Sequence, residues 1–120
     1  MATTKSNVVF FSGETLTAAA TTQSSPIISA NKTGYGLGVL VKLSNASAPT
    51  VAATARVMAQ ADTSTEWVEY DRIVGNTDSG GTESQTFNMP MWVSYVKILA
   101  GSNTGKDVGI VADGTAVTAI

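Results

Sequence analysis

The sequence predicts an all-β domain, an antiparallel β-sandwich of the jelly-roll kind with a short flexible N-terminal arm. Three observations predict it. Apolar residues alternate with a period of two wherever a pattern is legible, and Val, Ile and Thr crowd the patterned positions. Turn signals rich in Gly, Asn, Asp and Ser recur about every 8 to 12 residues, which divides the chain into roughly eight or nine short strands. With 120 residues the chain is long enough to bury one core, so residues 1–7 read as the arm and residues 8–120 as a single sandwich.

Val8 to Phe11 reads as a short strand, Ser12-Gly13 as a turn, and Glu14 to Thr17 as a resumption. Pro26 to Ser29 is an early strand that begins on proline, where the missing N–H does least harm, and Asn31 to Gly34 is a turn. Tyr35 to Ser44 alternates most clearly, with Leu37, Val39, Val41 and Leu43 on one face and Gly36, Gly38, Leu40 and Lys42 on the other. The glycines clear that second face for a close neighbour or a bulge. Thr50 to Ala61 is a second long run, with Val51, Ala53, Ala55, Val57 and Ala59 facing in. Its alanines also suit a helix, but Thr50, Val51, Thr54 and Val57 and the strict alternation favour a strand.

Asp62 to Thr65 is a turn, Glu66 to Val74 a strand, and Gly75 to Thr82 the longest loop. Glu83 to Met89 is a strand ended by Pro90. Trp92 to Ala100 is apolar on both faces, the mark of a central strand. Gly101 to Gly105 is a turn. Lys106 to Ala112 and Thr115 to Ile120 read as a closing hairpin around Asp113-Gly114, a strong two-residue turn signal.

The chemistry is narrow. The chain has neither histidine nor cysteine, which removes the usual general base, the usual zinc ligands, disulfides and thiol chemistry together. No enzyme, cofactor or metal is expected. Glu66 and Glu69 beside Trp67 and Tyr70 suggest a glycosidase pair, but residues three apart on a strand point to opposite faces. Gly101-Ser102-Asn103-Thr104-Gly105-Lys106-Asp107 is one residue short of a phosphate-binding loop, places Asp107 where Ser or Thr is needed, and leads into a strand. Asp62, Asp71, Asp78, Asp107 and Asp113 lie in or near loops without the spacing of a calcium loop.

Charged residues make up only 13% of the chain, so much of its surface is neutral and rich in Ala and Thr. Such a surface suits packing against neighbours, though a compact secreted β-domain reads the same way. Seven basic residues are scattered and the net charge is −2, which gives no footprint for nucleic acid. No apolar run approaches the roughly 18 residues of a membrane helix, and residues 1–7 lack the apolar stretch of a secretion signal. Neither nucleic acid nor membrane is an expected partner. Trp67, Tyr70, Trp92, Tyr95 and Tyr35 are expected first as core, with Trp67 and Trp92 as candidates for stacking on a ligand such as a sugar.

Ser25-Pro26-Ile27-Ile28-Ser29 before a glycine-rich strand, Ala61-Asp62-Thr63-Ser64-Thr65-Glu66-Trp67 closing the paired long strands, and Tyr95-Val96-Lys97-Ile98 together resemble small bacteriophage virion proteins, above all capsid decoration (cement) proteins. The resemblance spans roughly residues 24–100. It implies a non-enzymatic structural protein, made in the host cytoplasm and located on the virion surface. The implied partners are the major capsid protein and, as a homotrimer, further copies of the chain. Thr3, Thr4, Lys5, Ser6 and Asn7, polar and unpatterned, are then expected to order against the capsid or a neighbour. A phage tail or neck component, or a receptor-binding sandwich that recognises glycans through Trp67 or Trp92, is the alternative.

Overall fold

Among the residues that the computed structural model describes, 4–23, 28–29, 36–61 and 65–119, nine strands form and no helix. They are β1 (Thr4–Leu16), β2 (Thr21–Gln23), β3 (Ile28–Ser29), β4 (Gly36–Ser44), β5 (Thr54–Ala61), β6 (Val68–Val74), β7 (Thr82–Asn88), β8 (Val93–Gly101) and β9 (Val108–Ala119).

The pairing is nested. β5 pairs with β6, β4 with β7, both β2 and β3 with β8, and β1 with β9, all antiparallel. This is one long hairpin folded over into two layers. The outcome is the jelly-roll order, β1-β9-β4-β7 in one sheet (sheet A) and β2-β8-β5-β6 in the other (sheet B), with β3 beside β8 as well.

Alternation explains which side chains fill the space between the layers. Leu37, Val39, Val41 and Leu43 of β4 are buried as the pattern requires, facing Ala55, Val57 and Ala59 of β5 and Val96, Ile98 and Ala100 of β8. Small alanines on β5 set against larger side chains elsewhere let the two sheets interdigitate. Each buried Val, Leu or Ile contributes about 1.5–3 kcal/mol relative to exposure.

Four expectations are corrected. Thr4 to Asn7 are not an arm: they open β1 and pair with Ala119, Val117, Ala116 and Thr115 of β9, while Thr3 lies outside the described residues. Ser12-Gly13 is not a turn but an irregularity within β1, where Phe11 pairs with Ala112 and Glu14 with Ile110, and Gly13 takes a φ of 65°. A second irregularity, at Phe10, lets the consecutive residues Phe10 and Phe11 both enter the core. Asp113-Gly114 closes no hairpin, because β9 runs straight through it as a central strand between β1 and β4. Val51 points outward, half-exposed, and bridges Thr104. The proposed strand start at Pro26 and the turn at Asn31 to Gly34 lie outside the described residues.

The two ends of the sandwich differ. At one, the connections around residues 17–20, 45–53, 75–81 and 102–107 are tied together: Ala19 N–H donates to Asn103 O (2.6 Å), Thr50 N–H to Thr104 O (2.8 Å) and Asn45 N–H to Gly81 O (2.9 Å). At the other end lie the start of β1, the end of β9, and the turn between β7 and β8.

Candidate functional site

The turn between β7 and β8 carries the most exposed apolar side chain among the described residues. Met89 is buried and its N–H donates to Leu37 O (2.9 Å), and Val93 is fully buried and its N–H donates to Pro90 O (3.1 Å). Both flanks are therefore fixed, and the two central residues, Met91 and Trp92, stand out at 92% and 48% exposure. Val68 and Tyr70 of β6 are exposed at the same end, and the Tyr70 hydroxyl donates to Asn88 O (3.3 Å), joining the two sheets there.

Trp67 sits differently. It precedes β6, is half-buried, and has the Lys97 Nζ 4.4 Å from its ring centroid. Lys97 alternates with the buried Val96 and Ile98, so this contact lies on the outer face of sheet B, where Met58, Tyr95 and Leu99 are also half-buried. The expectation that the aromatics form the core is overturned for Trp67, Tyr70, Trp92 and Tyr95; Phe10, Phe11 and Phe87 fill it instead. Tyr35 lies outside the described residues.

Glu69 and Asp107 among the acidic candidates make structural contacts. Glu69 accepts from Arg72 Nε (3.0 Å) and Nη2 (2.8 Å), and Arg56 Nε lies 3.4 Å from its Oε1. Asp107 Oδ1 accepts from the Ala18 N–H (2.9 Å), so the segment resembling a phosphate-binding loop is a connection that fastens the β1–β2 turn.

The outer face of sheet A holds a feature that the sequence only hinted at. Gly38 lies between Asn88 and Thr115, with Leu40 between Thr86 and Asp113 in the next row, and a shallow depression of about 280 Å³ opens over this bare patch. Gly38 is its floor. The hint was the run of glycines on one face of the strand; a Cβ at Gly38 would lie 3.4 Å from Asn88 Oδ1, in ordinary contact with the neighbouring strand. Leu40, Val9 and Val111 give the same face a scatter of exposed apolar groups.

No family model matches the sequence, and no curated protein matches it. Solved structures do share the architecture. A structure of infectious bursal disease virus, Gx strain, is similar with a TM-score of 0.59 at 9% identity, over 97% of this chain and 32% of that chain. The VP2 subviral particle of the same virus gives 0.55 at 10% identity, over 98% of this chain and 33% of that one. A family 16 carbohydrate binding module gives 0.51 at 10% identity, over 83% and 71%. What they share with this chain is the fold. The chain spans about a third of the viral chains.

Proposed function

We propose that the chain is a non-catalytic virion structural protein, a decoration protein that binds the outside of an assembled phage head through its major capsid protein. The observation that carries this reading is the nested jelly-roll sandwich, built by a chain of which only 13% is charged. Likeness to structures from a virus particle supports it. Such a role asks for a rigid domain and surface suited to burial rather than for converging acids and bases. The turn at Met91 and Trp92 offers two apolar side chains on a fixed backbone, the kind of group that anchors an interface. Adding the protein to empty heads that lack it is expected to raise the temperature at which they disrupt. An unchanged disruption temperature at saturating protein would count against the reading.

A second reading, recognition of host glycans by a tail or neck component, draws on the exposed ring of Trp92 and on the likeness to a carbohydrate binding module. In a Trp67→Phe background Trp92 is the sole indole, and quenching or a shift of its emission by oligosaccharides would favour this reading over the first.

A further inference from the structure

We infer that β7 is a self-association edge, at which two copies of the chain pair antiparallel about a two-fold axis and join their four-stranded sheets into one. The inference does not depend on the decoration reading.

The argument begins with how the other edges are blunted. β1 is broken by register shifts at three places, β6 by one at Tyr70, and β6 also carries Glu69, Asp71 and Arg72. β2 and β3 are three and two residues long. Short strands, bulges and charges are the usual means of preventing edge pairing. β7 has almost none of them. It pairs with β4 over seven consecutive positions without a shift, contains no proline or glycine, and has Glu83 as its single charge. Thr82 to Thr86 are all exposed.

The direction of its backbone groups follows from two hydrogen bonds. Met89 N–H donates to Leu37 O, and Gly81 O accepts from Asn45 N–H, so the odd-numbered residues of this strand turn their backbone groups toward β4. The even-numbered ones turn theirs to the open edge, as the Tyr70 hydroxyl on Asn88 O confirms. Tyr70 closes one end of that edge, and the Asn76 side chain, donating to Glu83 Oε1 (3.2 Å), borders the other. Ser84 and Thr86 face outward between them.

A second copy of β7 fits this stretch. With the axis at Gln85, Ser84 of each copy lies opposite Thr86 of the other and the two exchange N–H···O bonds in pairs. Gln85 then meets Gln85 of the second copy as a non-hydrogen-bonded pair, and each Glu83 lies opposite a Phe87 and away from the other Glu83. The ladder is short, so the dimer is weak and concentration-dependent. It is two-fold, where the resemblance to decoration proteins implied trimers.

The chain has no cysteine, which permits a register-specific test. Gln85→Cys sets two thiols across the axis on Cα atoms about 4.5 Å apart, within the roughly 4.4–6.8 Å of a disulfide. Thr82→Cys, exposed on the same edge, places them about 20 Å apart. Under mild oxidation Gln85→Cys is expected to form covalent dimers at least about tenfold faster than Thr82→Cys. Thr86→Pro removes only an outward N–H, so it is expected to fold, and to abolish the concentration-dependent rise in sedimentation coefficient of the unaltered chain. Equal cross-linking of the two cysteine variants would overturn the inference, as would sedimentation as a monomer or a trimer at every concentration. Neither result bears on whether the protein binds heads.

Discussion

Asn45 and Asn103 are buried polar residues whose side chains hold the tied end of the sandwich. The Asn45 Nδ2 donates to Asn76 O (2.7 Å) and lies 3.0 Å from Asn76 Oδ1, fixing the end of β4 to the 75–81 loop. The Asn103 Nδ2 donates to Leu16 O (3.1 Å) and Lys106 O (2.8 Å), joining the end of β1 to the loop before β9. The carbonyls that Asn45 serves are part-buried and Leu16 O is buried, so Asn45→Ala is expected to lower unfolding free energy by about 0.5–1.5 kcal/mol, measured by urea denaturation. Gly114 shows where residue-level reading fails. Asp-Gly between two apolar runs is a hairpin signal in local chemistry, yet here a Cβ would meet Val8 Cγ2 at 2.6 Å and Leu37 Cδ1 at 3.1 Å. The glycine serves the close approach of β1 and β4, partners that lie far away in sequence, and local pattern cannot name them. Gly114→Val is accordingly expected to destabilise by about 1–3 kcal/mol or more through overpacking; a hairpin glycine would show its cost through strained φ instead.

At the scale of elements, β4 and β5 were legible because each alternates cleanly, so burial on the inner face dictates the sequence, and β8 because it is apolar on both faces, as a central strand is. β1 was legible only in part. Thr4, Lys5, Ser6 and Asn7 bear no apolar pattern, and their side chains give no reason to expect a strand; what orders them is the backbone ladder of β9. This changes an expectation that can be measured. Deleting residues 1–7 removes the pairing of Thr4 to Asn7 and exposes the end of β9, and is expected to lower stability by about 2 kcal/mol and lower Tm with it. A free arm would leave both unchanged. The aromatic residues were misread for a related reason: a core this rich in Val, Ile, Leu and Ala closes with three phenylalanines, which leaves Trp92 for the surface. Periodicity reports which positions face in. It says less about residues in turns, and Met91 and Trp92 occupy one.

For the whole molecule, the sandwich class was legible from strand number and turn spacing, whereas the nested order was not, because reading Asp113-Gly114 as a turn split the central strand β9 into a hairpin. Its surfaces were less legible. The depression over Gly38, the open edge of β7 and the exposed turn at Trp92 each depend on which strands become neighbours, a property of the assembled sandwich. The proposed role draws on the faces and that turn, while the inferred self-pairing draws on the edge, so the two proposals use separate surfaces and can be tested separately. The most direct measurement is co-sedimentation of the purified chain with empty phage heads that lack it. The account predicts binding that saturates at a fixed ratio of chain to major capsid protein and weakens on Trp92→Ala. A chain that stays in the supernatant at every concentration would contradict it.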